Sequence, residues 1–175
     1  MAWDATTAAV ALAIAAAMMA APRRSAAEVR FDFETGDLQG WQVMQGAFGR
    51  LVCDRATYHN EPAVAYGKQG RWFLSTLERE DGRPDDTYTG IVESPVFVLT
   101  GRSMRFFVGG GAHADTYVAL CDEAGEELMR ASGANSEHPR TVEWDLRRHV
   151  GKRLFLQVVD RNTGSWGHVT LDDVV

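Results

Sequence analysis

Val29-Arg30-Phe31-Asp32-Phe33 alternates apolar and charged side chains one for one. An extended strand sends successive side chains to opposite faces. Val29, Phe31 and Phe33 therefore share one face, and Arg30 and Asp32 the other. Further short apolar or alternating runs predict strands at 41–44, 51–53, 71–77, 90–94, 96–99 and 103–108, then at 116–121, 127–131, 140–144, 153–159 and 168–174. Turn-forming segments separate them: Glu34-Thr35-Gly36-Asp37, Asp81-Gly82-Arg83-Pro84, Asp122-Glu123-Ala124-Gly125 and Asn162-Thr163-Gly164. Pro95 cannot donate to a ladder, so it marks an edge or a bend within 90–99. Only one helical turn is expected, around Leu146–His149. Many short strands at spacings of about 8–12 residues make an all-β domain, an antiparallel β-sandwich or barrel.

The 175 residues suit one such domain once an export segment is removed, with no repeat and no second domain. A domain of about 150 residues buries roughly 70% of its extended-chain surface, enough to fold without metals or staples. The hydrophobic fraction of 45% and charged fraction of 24% are those of a globular protein. The formal charge is -6, and Lys and Arg form no stripe. Nucleic-acid binding needs a basic footprint to displace counterions, so it is excluded as a function class.

Residues 8–21 are almost wholly Ala, Val, Leu, Ile and Met, and they lead to Pro22 and Ser25-Ala26-Ala27. This pattern predicts a signal peptide over 1–27, cleaved before Glu28, with the mature domain at 28–175. The apolar run is too short to span a bilayer comfortably, so no stable membrane insertion is expected after processing. Asp4 departs from the pattern, because signal peptides carry positive charge before the apolar run. The expected location is secreted, periplasmic or cell-surface. Export permits a disulfide between Cys53 and Cys121, but each lies in an apolar strand-like run where a buried thiol is equally at home.

Acidic residues gather at both ends of the mature chain: Glu34 after the first strand, Asp172 and Asp173 on the last. Chain termini tend to lie close together, which would bring these carboxylates to one rim. Such a group either holds a hard cation such as Ca²⁺ or stays solvated on turns. Gly109-Gly110-Gly111 precedes no helix and lacks a following Gly-Lys-Ser/Thr, so it is no phosphate loop. It marks a strand end needing positive φ or close approach, with His113 and Asp115 just beyond. In the last hairpin, Asp160 precedes Ser165-Trp166-Gly167-His168. A Trp face stacks on the C–H face of a sugar while His and Asp bond its hydroxyls, which is what a saccharide site needs. Trp166 could equally plug the end of the core, whereas Trp41, Trp72 and Trp144 adjoin strands and read as core. For catalysis there is no Gly-x-Ser-x-Gly and no His-Glu-x-x-His, leaving a carboxylate pair as the one route to glycoside hydrolysis.

Phe31-Asp32-Phe33-Glu34-Thr35-Gly36 followed by Gly40-Trp41 resembles the opening of galactose-binding-like jelly-roll modules, and the run from Gly90 to Phe97 resembles their middle strand pair. Four further segments together resemble the accessory β-sandwich of family-32 glycoside hydrolases, the levanase and fructosidase group. They are Phe106–Gly111 with His113, Ala131-Ser132-Gly133 with Asn135-Ser136-Glu137, Trp144-Asp145-Leu146 with Gly151-Lys152, and Val159-Asp160 through Trp166-Gly167-His168 to Asp172. The resemblance spans nearly the whole mature chain. It implies a jelly roll that binds or positions a glycan beside a hydrolase, with a structural Ca²⁺ held by Glu34 and Asp172 and less so by Asp173. That family's catalytic segments, Asn-Asp-Pro, Arg-Asp-Pro and Glu-Cys-Pro, do not occur here.

The sequence thus predicts an exported, non-catalytic carbohydrate-binding module for a polysaccharide or oligosaccharide, accessory to a fructan- or polysaccharide-degrading glycoside hydrolase. Trp166 would be the stacking platform, and His113, Asp160 and His168 the hydrogen-bonding partners. The alternatives are a spacer or protein-docking sandwich without a sugar site, or a fragment of a larger glycoside hydrolase.

Overall fold

Alternation of burial along the strands sets the architecture. In β10 (Arg153–Asp160), Leu154, Leu156 and Val158 are fully buried while Phe155 and Gln157 between them are half-buried. The computed structural model describes residues 28–54 and 67–175; the expected export segment, 1–27, lies outside the described residues. The remaining strands are β1 (Gln42–Ala47), β2 (Val52–Cys53), β3 (Phe73–Ser75), β4 (Thr89–Glu93), β5 (Phe97–Val98) and β6 (Ser103–Gly110). They continue as β7 (Thr116–Asp122), β8 (Glu127–Ala131), β9 (Ser136–Asp145) and β11 (Val169–Asp172). One 3₁₀ turn, Arg147–His149, occupies the place where a helical turn was expected.

All pairings are antiparallel, and they build two sheets. The first runs β1-β4-β10-β7-β8, with β5 also on β10; the second runs β2-β3-β11-β6-β9. Strands β4 and β5 pair with successive parts of β10, separated at Pro95, which is the bend expected of a residue without an N–H. Every sheet crossover joins strands distant in sequence, as in a jelly roll. Inward side chains of both sheets meet in one core that includes Leu74, Val92, Phe106, Val118, Leu120, Leu156 and Leu171. Trp41 and Trp144 lie in it as expected, and Trp72 packs against its margin. Edge-on aromatic pairs, Phe31–Trp41 at 5.5 Å and Phe106–Trp144 at 4.7 Å, each add about 1 kcal/mol beyond area burial.

The opening segment differs from the expected strand. Phe31 and Phe33 are buried on the core side as the alternation required, but pairing shrinks to one bridge, Phe31 with Val174. Phe33 turns to φ 56° and its carbonyl accepts the Gly36 N–H, which ends the strand there. That single bridge still makes the two ends of the folded chain neighbours. The cysteines do not pair: both are buried free thiols, Cys53 on β2 and Cys121 on β7, in different sheets. Among the described residues no helix is long and apolar enough to cross a membrane.

Candidate functional site

Strand direction decides which loops meet. The β4, β7, β10 and β11 registers place Gly90, Thr116, Asp160 and Val169 at one end of the sandwich. Loops 76–88, 111–115, 132–135 and 161–168 therefore share that end. His113 Nε2 lies 3.0 Å from the Ser165 carbonyl, so the two loops that carry the expected sugar residues do converge. A Cβ on Gly111 would stand 2.2 Å from the Trp166 carbonyl, and one on Gly110, at φ 84°, would stand 2.3 Å from the His168 carbonyl. Close approach and positive φ together explain the triple glycine.

Loop 161–168 is tied along its length. The Arg161 N–H donates to the Asp115 carbonyl (3.0 Å), Asn162 Nδ2 to Asp115 Oδ1 (3.1 Å), and the Gly164 N–H to Asn162 Oδ1 (2.8 Å). Trp166 sits at φ 63°, with its ring 5.8 Å from that of His168 and tilted 31° to it. Its indole is partly exposed, as is His113. Asn162 and Asp115 are also partly exposed, and Arg161 and Asn135 are exposed. A partly exposed aromatic side chain and several partly or fully exposed polar ones thus lie on the two loops that meet here.

Asp160 and His168 depart from expectation. Both are fully buried and cannot reach a sugar; their side chains are spent on the protein's own groups. Asp160 Oδ2 accepts from the Thr76 hydroxyl (2.6 Å), and that hydroxyl oxygen accepts the Val169 N–H (2.9 Å). Burial pushes the Asp160 carboxyl up to about 7 despite these donors. His168 Nδ1 donates to Asp86 Oδ1 at 2.7 Å, and Nε2 faces Glu137 Oε1 at 3.2 Å. Burial alone would lower the imidazole, but the two carboxylates overcome it and raise it to about 9, so His168 is an imidazolium at neutral pH. Asp86 was not singled out by sequence, and Glu137 entered only within the Asn135-Ser136-Glu137 resemblance, with no role at the site. Asp86 sits in a polar loop 82 residues before His168, and nothing local points to that pairing.

The expected metal residues are brought only partly together. Loop 69–72 joins Glu34 to Asp172: the Arg71 and Trp72 N–H groups donate to Glu34 Oε1 (2.8 and 2.9 Å), and the Gln69 N–H donates to Asp172 Oδ2 (2.8 Å). Burial first, then the charges of Asp173 and Glu34, push the Asp172 carboxyl up to about 7. Asp173 is engaged elsewhere: its carboxylate pairs with Arg105 (2.9 Å) and Arg30 (3.4 Å). Among the described residues nothing donates a hydrogen bond to the buried Gln69 Oε1. Among the described residues no three His, Cys, Asp or Glu side chains are grouped to hold a metal. Two carboxylates and an amide oxygen have the donor chemistry of a Ca²⁺ site, but main-chain or water oxygens would have to complete it.

At the opposite end, a cavity of about 230 Å³ lies among Val29, Leu99, Thr100, Ser103, Met104 and Val175. Among the described residues its lining includes no aromatic side chain and none of the expected site residues.

The two sheets, their order and the meeting of the chain ends define a jelly-roll β-sandwich of the kind found in carbohydrate-binding modules. Among solved structures, the chain is similar to TmCBM61 in complex with β-1,4-galactotriose. The TM-score is 0.51 and the identity 16%, over 82% of this chain and 91% of that one. It is similarly close to the K3 cleaved adhesin domain of Lys-gingipain from Porphyromonas gingivalis W83, with TM-score 0.50, 14% identity, and 83% and 95% coverage. These likenesses establish the fold. In sequence, the chain is 27% identical over 146 residues to a protein of Aspergillus rugulosus named for a glycosyl hydrolase, ecdE. The match covers 82% of this chain and 20% of that protein, so the chain spans about a fifth of that relative's length. No family model matches.

Proposed function

We propose that this chain is an exported, non-catalytic carbohydrate-binding module that takes a sugar chain on the loop end of the sandwich and serves as an accessory to a glycoside hydrolase. One observation carries the reading: loops 111–115 and 161–168 meet, so the loop that carries the partly exposed Trp166 is bonded to the loop that carries His113 and Asp115, through His113 to the Ser165 carbonyl and Asn162 to Asp115. A flat apolar face supplies stacking, and convergent polar groups supply orientation. Of the carboxylates around this surface, Asp160 is committed to Thr76 and both Asp86 and Glu137 to His168, leaving Asp115, which accepts from Asn162, without a second carboxylate free to work with it; this favours binding over hydrolysis. The galactotriose named with TmCBM61 and the hydrolase likeness of the Aspergillus protein make a polysaccharide the first ligand class to try. A structural Ca²⁺ on Glu34, Asp172 and Gln69 Oε1 belongs to the same proposal; it would neutralise two carboxylates joined by one loop.

The test is affinity electrophoresis of the 28–175 domain in gels containing levan, inulin or β-1,4-galactan. Retardation in at least one gel, lost in Trp166→Ala with the fold intact by circular dichroism, is the expected result. Equal mobility of Trp166→Ala and wild type in a retarding gel would remove Trp166 from the site. No retardation in any of the three gels would count against the sugar reading.

A further inference from the structure

We propose that His168 is the positioning residue of the loop-end surface: contacts at both ring nitrogens lock loop 161–168 to loop 76–88 and to β9, and its ring is the shelf on which Trp166 is held. The part played by Trp166 in sugar binding rests on the proposed function; the shelf does not.

His168 is fully buried and stands where three segments meet. Nδ1 reaches Asp86 in loop 76–88 at 2.7 Å, and Nε2 faces Glu137 at the start of β9 at 3.2 Å. The Nε2 contact lacks hydrogen-bond geometry, so it acts as an ion pair. Trp166 lies two residues earlier with its ring 5.8 Å away, inside the range in which a cation attracts an indole face. The backbone at Trp166 is left-handed, φ 63°, a conformation that is costly for a non-glycine residue and persists only when its surroundings over-determine it. Gly110 leaves room for the His168 ring edge, since a Cβ there would come within 2.9 Å of Cδ2.

The charged groups around the imidazole are Asp86 from loop 76–88, Glu137 from β9 and Asp160 from β10, with Lys68 acting on Glu137. Loss of the His168 proton would leave Asp86 and Glu137 facing a neutral ring and remove the cation beside the indole. The imidazole is raised by these partners to about 9. The lock therefore holds through neutral pH and opens as pH rises through that value.

The test follows Trp166 emission, taken as wild type minus Trp166→Phe, from pH 6 to 10. A transition near pH 9 is expected in wild type and should be absent in His168→Gln, whose Trp166 emission should also be red-shifted at pH 7. Because His168→Gln could fail to fold, Asp86→Asn provides a second route: the Asp86 side chain is itself partly exposed, and the transition in this variant should move down by about one pH unit or more, the size of one lost carboxylate partner. If levan, inulin or β-1,4-galactan retards the wild type, His168→Gln should weaken that retention at least tenfold at unchanged secondary structure. A folded His168→Gln with wild-type Trp166 emission, or an Asp86→Asn transition at the wild-type pH, would overturn the proposal. A transition near pH 9 in a protein that none of the three polysaccharides retards would uphold the shelf and discard the sugar reading.

Discussion

Replacing Gly110 by Ala isolates what the loop end demands of the backbone. The residue sits at φ 84°, and an added Cβ would stand 2.3 Å from the His168 carbonyl oxygen. The left-handed conformation costs an L-residue about 1–2 kcal/mol. Pressing a methyl into a neighbouring main chain adds about 1–3 kcal/mol, because β6 and β11 must separate locally. The pair sums to about 2–5 kcal/mol. Gly125 is the control: it has nearly the same φ, 82°, but nothing within 4 Å of the added Cβ, so only the backbone contribution remains. In a domain of this size 1 kcal/mol moves the melting temperature by about 2–4 °C. Scanning calorimetry should therefore show Gly110→Ala losing about 4–20 °C and Gly125→Ala about 2–8 °C, with the Gly110→Ala loss the larger of the two. A Gly110→Ala loss no larger than that of Gly125→Ala would refute the reasoning, since it would mean the His168 main chain yields without cost.

Two other outcomes follow from the buried titratable groups. Asp160 and Asp172 each have a folded-state pKa raised from 3.8 to about 7, so folding takes up protons between those values. Stability should fall as pH rises from 5 to 8, by about 2 kcal/mol for each carboxylate. Millimolar Ca²⁺ should offset the Asp172 share at pH 8 and do little at pH 5, and Asp172→Asn should abolish the difference; equal melting temperatures in Ca²⁺ and EDTA at pH 8 would remove the metal. Cys53 and Cys121 are buried, burial pushing Cys53 well up and Cys121 up to about 11, so neither should react with a disulfide reagent at pH 8 until the protein unfolds. Rapid labelling of the native protein would contradict their burial.

Most of the fold was legible because the information is local. A period of two, broken by Gly, Asp and Pro, is written into each strand, and burial of Phe31, Phe33, Leu154 and Leu156 follows the alternation read from the chain. The triple glycine announced a backbone constraint for the same reason. The site was legible by residue type only. Trp166 and His113 stand on the shared surface, but their neighbours Asp160 and His168 look identical in sequence and turned out to be interior. A strand side chain at a sheet end can point to solvent or under a loop, and the covering loop decides.

What the sequence by itself determined is the class: short alternating strands, one sheet-breaking proline, and two ends rich in acid. Which strands pair, which carboxylate meets which cation, and that His168 lies between Asp86 and Glu137 were decided only in three dimensions. The physical reason is range. Side-chain alternation is fixed within a few residues. The partners of a buried charge are chosen by desolvation and by which distant loops the closed sandwich brings within 3 Å of it, as with Asp86, 82 residues away from His168.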